Sequence, residues 1–128
     1  FERTFLKPEL LWAQNFFQEE VFHSLEEKGY LMMDERFRMG KALVEEMKRL
    51  RPYETLHSLK IPVLTIHGDR DTYVSYNIAK EYGTPNPQSR FVTIPGAEHG
   101  FGRPEETRQV IEAITGWFRE LRPSTPRG

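Results

Sequence analysis

The chain has 128 residues, enough for one ordinary domain, with 18 Lys and Arg against 19 Asp and Glu and a formal net charge of −1 at pH 7. This balance argues against nucleic acid as the main partner, because proteins that bind a polyanion concentrate Lys and Arg. The absence of cysteine excludes disulfides, thiolate zinc sites and a cysteine nucleophile. No apolar run approaches the roughly 20 residues of a membrane-spanning helix and no signal peptide is visible, so we expect a cytoplasmic protein.

The first half of the chain predicts two helices, over residues 8–27 and 36–50. In both segments apolar residues recur at three- and four-residue steps, and Gly29 suits a left-handed stop after the first. Between the helices, Tyr30–Met33 is a short apolar run, either a brief strand or a loop anchor. Pro52 is expected to end the second helix.

The second half predicts two strands, 61–67 and 90–94, that alternate with two helices, 75–82 and 105–121. This order predicts parallel strands in an α/β sheet. Both strands are apolar on two faces, so we expect the rest of the sheet to come from elsewhere. The last helix carries one apolar stripe, which we expect to face the core. The residues of this stripe are Val110, Ile111, Ile114, Trp117, Phe118 and Leu121.

A polar cluster follows each predicted strand. The first runs from His67 to Val74 and contains Asp71, and the second contains His99. Because the carboxyl ends of parallel strands meet at one edge of a sheet, these two side chains can lie close together. A carboxylate that orients an imidazole and stabilises its cation is what a Ser-His-Asp triad requires.

Other interpretations of the acids remain open. Asp71 also suits a turn or a helix cap, and Asp69 is a competing acid that we interpret as part of the turn after Gly68. Asp69 and Asp71 together imitate the paired aspartates that hold magnesium in some phosphotransferases. In such sites the first aspartate follows the strand directly, so the intervening His67 and Gly68 argue against magnesium.

The remaining polar and aromatic residues have plain structural interpretations. His67 is expected to be a hydrogen-bonded core histidine, and His23 and His57 surface or packing residues. Glu98 could tune the neighbouring histidine, although such a glutamate more often faces solvent. The aromatic residues of segment 1–22 suit either an acyl pocket in a lid or the core face of a helix.

Two motifs carry a resemblance to a known family. The pattern P-V-L-x-I-H-G-x-x-D-x-x-V, followed by G-x-x-H-G-F and a terminal amphipathic helix, resembles the last third of an α/β-hydrolase of the carboxylesterase, lipase and serine-peptidase-like branch. The likeness covers residues 61–121. It implies the C-terminal portion of a doubly wound, mostly parallel α/β sheet, with Asp71 as the triad acid and His99 as the triad histidine.

The same resemblance divides the chain into three parts. Residues 1–55 resemble the helical cap or lid that such enzymes insert before this strand. Residues 56–122 form the C-terminal βαβα part of the hydrolase core, and 123–128 are expected to be a loose tail.

The family's nucleophile is missing from this sequence. It should lie in a G-x-S-x-G turn before the acid, and none of the five serines has glycines at both flanking positions. The chain also lacks an initiator Met, so we expect a processed or truncated chain that begins downstream of the nucleophile and is inactive alone. Its expected partners are a complementary N-terminal chain or further copies of itself.

Two functions follow as expectations. The first is the C-terminal portion of a serine hydrolase that cleaves a small ester or related acyl substrate without a metal or an organic cofactor. The alternative is a non-catalytic, hydrolase-derived module kept for binding or assembly.

Overall fold

The computed structural model describes residues 10–33 and 35–121. Its first part contains a π-helical turn, Trp12–Phe16, helix α1, Glu19–Lys28, strands β1, Tyr30–Met33, and β2, Phe37–Gly40, and helix α2, Lys41–Arg49. Its second part contains helix α3, Pro52–Ser58, strand β3, Leu64–Gly68, helix α4, Tyr76–Tyr82, strand β4, Arg90–Ile94, and helix α5, Pro104–Leu121. No helix within the described ranges is long and apolar enough to cross a membrane.

The helix predicted over 8–27 is divided in two, and residues 8 and 9 lie outside the described residues. The N–H of Phe17 donates to the carbonyl of Trp12, 2.8 Å away, which closes the π-helical turn. Gln18 then has extended backbone, and α1 starts after it. Phe17 is buried in a cluster with α1 and β1, so core packing favours the break over a continuous helix. Gly29 ends α1 in the left-handed conformation, at φ 75°, as predicted.

Strands β1 and β2 form an antiparallel hairpin, so the prediction of one helix over 36–50 is wrong for residues 37–40. Helix α2 begins only at Lys41. Alternate residues of β1 point into the core, since Leu31 and Met33 are buried while Met32 is exposed. Pairing with β2 satisfies the backbone of β1, and this outweighs the helical periodicity of the sequence. The segment expected to be a helical cap is therefore helical only in part.

Pro52 begins a helix instead of only ending one. It occupies the first turn of α3, where its missing N–H costs nothing. This short helix was not predicted. It packs against α4 and so connects the first part of the chain with the second.

The second part has the predicted order and direction. Strands β3 and β4 pair in parallel, with Leu64 opposite Arg90 and Gly68 opposite Ile94. The side chain of Ser75 accepts a hydrogen bond from the N–H of Ile78 and caps α4. The parallel pairing brings the loops after β3 and β4 to the same edge of the sheet.

Most of the apolar stripe on α5 does not face a core within this chain, contrary to prediction. Trp117 is buried, but Ile111 is 55% and Phe118 62% exposed. The helix packs mainly against β3 and β4, and the described residues offer these two parallel strands and a separate hairpin. A two-stranded sheet is too narrow to cover the whole face of an 18-residue helix.

The close approach of the two loops yields a prediction about stability. A Cβ atom at Gly68 would lie 2.3 Å from the backbone oxygen of Ala97, so Gly68→Ala should lower the free energy of unfolding by about 1–3 kcal/mol. At Gly116 a Cβ meets nothing within 4 Å, and Gly116→Ala should stabilise α5 by up to about 1 kcal/mol. Urea unfolding measures both variants, and equal stability of the two would contradict the prediction.

Candidate functional site

The first functional side chain lies in the turn after β3. Asp71 is held by its own loop, because its Oδ1 accepts hydrogen bonds from the N–H groups of Tyr73 and Val74, both at 2.8 Å. Its side chain is only 7% exposed. The turn thus fixes one carboxylate oxygen, Oδ1, and leaves Oδ2 to accept a hydrogen bond from another part of the chain.

Asp71 Oδ2 lies 2.9 Å from Nδ1 of His99, which follows β4. The structure therefore brings together the two residues that the sequence placed at neighbouring strand ends. A carboxylate only accepts hydrogen bonds, so Nδ1 carries a proton, and in the neutral ring Nε2 then has the free lone pair. The His99 side chain is 52% exposed. A half-exposed imidazole in this tautomer can accept a proton from a hydroxyl group brought to it.

The environment of Asp71 favours its ionised form. Burial alone would raise the pKa of this carboxyl, but hydrogen bonds from the Val74 N–H, from His99 and from the Tyr73 N–H outweigh burial and hold the pKa below its ordinary value. Asp71 is therefore a carboxylate at neutral pH. A negative charge beside Nδ1 stabilises the cation that forms when Nε2 takes up a proton.

Further hydrogen bonds join the loop after β3 to the loop after β4, and the bonded residues follow one another in the same direction along both loops. The N–H of Gly96 donates to Asp69 Oδ1 at 2.6 Å, and the N–H of Arg70 donates to the carbonyl of Ala97 at 3.0 Å. Asp69 thus has the structural role that the sequence suggested. Glu98 extends the series, because its Oε1 accepts from both the N–H and the hydroxyl of Thr72, at 2.6 and 3.0 Å.

The contacts of Glu98 were missed by sequence reasoning. Glu98 is exposed, as the sequence favoured, but its carboxylate also binds Thr72, a residue 26 positions away. No local pattern reports such a partner. Burial alone would raise the pKa of Glu98, but hydrogen bonds from the Thr72 N–H and the His99 N–H dominate and lower it.

His67 is a second imidazole on the same acid. It is largely, though not fully, buried and is hydrogen-bonded, with Nδ1 2.9 Å from the carbonyl of Gly68 and a side chain 11% exposed. Its Nε2, however, lies 3.6 Å from Asp71 Oδ2. The four-residue spacing of H-G-x-x-D is the signal that could have indicated this contact.

The first residues of the described chain also reach the site. The N–H of Leu11 donates to the carbonyl of Thr72 at 2.9 Å. Trp12 contacts Tyr73 edge to face with ring centroids 5.9 Å apart, and Tyr73 lies 5.1 Å from the ring of His99. An aromatic path therefore leads from the π-helical turn to the histidine, a connection that sequence reasoning did not anticipate.

The loop after His99 is held by special backbone geometry and by α5. Gly100 has φ 89°, which glycine adopts at little cost, and Phe101 follows with φ 53°. Arg103 donates to the carbonyl of Gly96 at 3.1 Å and is itself bound by the buried Glu106. The histidine loop is therefore fixed on both sides of His99.

The other histidines and the serines lie in structural contacts. His57 bonds to the carbonyl of Tyr53, and His23 is exposed on α1. Each described serine hydroxyl has a hydrogen-bond partner: Ser24 has Tyr30, Ser58 has Thr55, Ser75 has Ile78, and Ser89 has Asn86 and Val63. Among residues 10–33 and 35–121, no group of three His, Asp or Glu side chains could hold a metal ion. The carboxylates of Asp69 and Asp71 are both bound to protein groups.

Comparison with known proteins identifies the family and the fold of this chain. Residues 11–123 match the model of the prolyl oligopeptidase family. No curated protein sequence matches the chain.

Solved structures show the same fold. Est1E from Butyrivibrio proteoclasticus is 24% identical with a TM-score of 0.65, over 72% of this chain and 37% of that one. The same protein with ferulic acid bound gives 24% and 0.64, over 72% and 36%. A putative hydrolase from Agrobacterium vitis S4 is 20% identical with a TM-score of 0.60, over 79% and 41%. The chain thus has part of an α/β-hydrolase fold and spans well under half the length of these structures.

The depressed pKa of Asp71 predicts how stability depends on pH. Its charged form contributes stability that is complete above the unfolded pKa of about 3.9 and is lost as the pH falls through the lower folded value. Asp71→Asn removes this titration, so between about pH 5 and 3 the free energy of unfolding should fall less for the variant than for the parent protein. Urea unfolding over that range measures the difference, and parallel curves would contradict the prediction.

Proposed function

The chain belongs to the prolyl oligopeptidase family and has part of an α/β-hydrolase fold, and from this we propose that it is the C-terminal portion of a serine hydrolase. Asp71 and His99 supply the acid and the histidine of its triad. The observation that carries the proposal is the 2.9 Å hydrogen bond between Asp71 Oδ2 and His99 Nδ1. The nucleophilic serine and the oxyanion-stabilising groups come from a part of the protein outside these 128 residues.

The geometry supports a two-step acyl transfer. As the serine Oγ bonds to the acyl carbon, its proton passes to Nε2 of His99, and Asp71 stabilises the resulting cation. The imidazolium then donates this proton to the leaving oxygen or nitrogen, and the bond to the acyl carbon breaks. A water molecule repeats the sequence on the acyl-enzyme, regenerating the serine and releasing the acid.

Two findings bear on whether the bond cleaved is a peptide or an ester. The family to which the chain belongs is named for a peptidase, whereas one of the similar structures is Est1E with ferulic acid bound. Both reactions use the same proton transfers, and they differ in the leaving group. We propose an ester or related acyl bond, and a panel of esters and peptides with the same acyl group tests this choice directly.

A second candidate is a hydrolase-derived module that binds or assembles without catalysis. It is favoured by the engagement of all four described serine hydroxyls in hydrogen bonds within the chain and by the lack of G-x-S-x-G in the sequence. The two candidates differ in one measurable respect, because only the hydrolase needs His99 for turnover.

The proposed function goes with a division of the chain into three parts. Residues 1–55 act as a cap-like segment on the site, supported by the hydrogen bond from Leu11 to Thr72 and by the contact of Trp12 with Tyr73. Residues 56–122 form the core part, which holds Asp71 and His99. The loose tail proposed for 123–128 lies outside the described residues.

The proposed partner of the core part is the N-terminal portion of the same hydrolase. The apolar face of α5 is exposed at Ile111 and Phe118, and Ile61, just before β3, is 62% exposed. Within residues 10–33 and 35–121, strands β3 and β4 form a two-stranded sheet in which each strand has one unpaired edge. Further strands from the N-terminal portion would pair with these edges, and the wider sheet would cover the apolar face of α5. Self-association is the alternative way to bury the same surface.

Catalysis is tested in the intact protein that includes the serine-bearing part. His99→Ala and Asp71→Asn should each lower kcat/KM toward a p-nitrophenyl ester by about 10³- to 10⁴-fold, because the general base is lost or held in the wrong tautomer. His23→Ala, an exposed histidine on α1, is the matched control and should retain the parent rate. Turnover by His99→Ala close to that of the parent would exclude the triad role.

Residues 1–128 alone provide the complementary experiment. They should show no burst with the ester and no labelling by a fluorophosphonate serine probe, whereas the intact protein should be labelled at one serine. Stoichiometric labelling of any serine in the isolated chain would contradict the proposed division of the triad.

Assembly is tested by sedimentation. Residues 1–128 alone should self-associate or bind the separately produced N-terminal portion, because each apolar side chain left in water forgoes roughly 1.5–3 kcal/mol. Replacing Phe118 by Glu, at a position 62% exposed in this chain, should weaken that binding. A monodisperse monomer that unfolds cooperatively would show that the chain covers its own sheet.

A further inference from the structure

We propose that Thr72 and Glu98 form a clamp that sets the distance between Asp71 and His99, which makes both of them positioning residues for the triad. The inference rests on the proposed function for its catalytic consequence. Its structural content, that these two residues hold the acid and the histidine together, stands on the hydrogen bonds alone.

A single oxygen of Glu98 accepts three hydrogen bonds, from donors on both loops. Oε1 lies 2.6 Å from the N–H of Thr72, 3.0 Å from its hydroxyl and 2.9 Å from the N–H of His99. Charge-assisted hydrogen bonds of this kind are stronger than neutral ones. The carboxylate therefore ties the backbone of the acid loop to the backbone of the histidine loop.

The two residues of the clamp are direct sequence neighbours of the acid and the histidine, so their positions affect both. Thr72 follows Asp71 directly and Glu98 precedes His99 directly, so each clamped residue is bonded through one peptide link to a member of the pair. The carboxylate of Asp71 is fixed by its own loop, but the His99 side chain is 52% exposed and receives less support from packing. Anchoring the His99 N–H therefore restricts the imidazole more than it restricts the acid.

The other links between the loops do not replace this one. The bonds of Gly96 to Asp69 and of Ala97 to Arg70 hold the start of the histidine loop. Gly100, at φ 89°, follows His99, so the chain changes direction there. Glu98 supplies the hydrogen bonds at the residue next to the histidine itself. A misplacement of about 1 Å at a reacting group can cost on the order of 10² in rate.

Thr72 also connects the clamp to the cap-like segment. Its N–H and hydroxyl point to Glu98, while its carbonyl accepts the N–H of Leu11 at 2.9 Å. One residue is thus bonded to two other segments of the chain, the histidine loop and the cap-like segment. A shift of the first turn of the cap-like segment would move Thr72. Through Thr72 it would act on both the acid loop and the histidine loop.

The test uses the intact hydrolase and two readouts. The first is the split between kcat and KM for a p-nitrophenyl ester. The second is the downfield proton resonance of His99 Nδ1–H in its hydrogen bond to Asp71, which does not require turnover. Glu98→Ala should lower kcat by about 10- to 100-fold with little change in KM, and should weaken or abolish the resonance.

Two further variants separate the clamp from other roles of a surface glutamate. Glu98→Gln keeps an accepting oxygen but not the charge, so it should recover most of the kcat and the resonance that Glu98→Ala loses. Thr72→Val removes only the hydroxyl donor and should give an intermediate loss, which provides a second measurement if Glu98→Ala fails to fold. Glu112→Ala, which removes an exposed carboxylate paired with Arg108 on α5, is the control and should leave both readouts unchanged.

The outcomes distinguish failure of the clamp from failure of the proposed function. Parent-like kcat and resonance in Glu98→Ala, or equal damage from Glu98→Gln and Glu98→Ala, would overturn the clamp. A fully active His99→Ala would overturn the hydrolase triad, while the resonance would still report whether Glu98 holds His99 against Asp71.

Discussion

The approach of the loop after β3 to the loop after β4 is the constraint on which the site depends. Parallel pairing of the two strands, in register from Leu64 opposite Arg90 to Gly68 opposite Ile94, carries both loops to one edge of the sheet. The lack of a side chain at Gly68 then lets Ala97 approach. From there the loops are joined by successive hydrogen bonds, and the bond between Asp71 and His99 is one member of that series.

The site combines a buried charge with the groups that compensate for it. Asp71 is nearly inaccessible to solvent, and burying a carboxylate is costly unless hydrogen bonds or opposite charges replace its hydration. Two backbone N–H groups and one imidazole supply that replacement, and a second imidazole, that of His67, lies within ion-pair distance. The same contacts that make the burial tolerable hold the carboxylate in the orientation that fixes the tautomer of His99.

The two parts of the chain have different relations to solvent. The first part has its own small core, in which α1, the hairpin and α2 bury Leu25, Leu31 and Val44. The second part leaves much of α5 exposed, because the two strands of its sheet are too few to cover it. The open second part is consistent with a fraction of a larger sheet. The share of each similar structure that the chain covers, 37% and 41%, agrees with this description.

By itself, the sequence determined the elements whose formation depends on nearby residues, and with them the position of the site. The strands β3 and β4 and the helices α4 and α5 all follow from local periodicity and turn chemistry. Because parallel strands share an edge, the same patterns placed Asp71 and His99 together.

Only the tertiary structure decided features that depend on partners distant in the chain. Residues 37–40 became a strand because β1 pairs with them, and Glu98 became a bridge because Thr72 lies opposite it. The stripe on α5 stayed exposed for the same reason, since an amphipathic pattern specifies an apolar face but not whether this chain contains enough sheet to cover it.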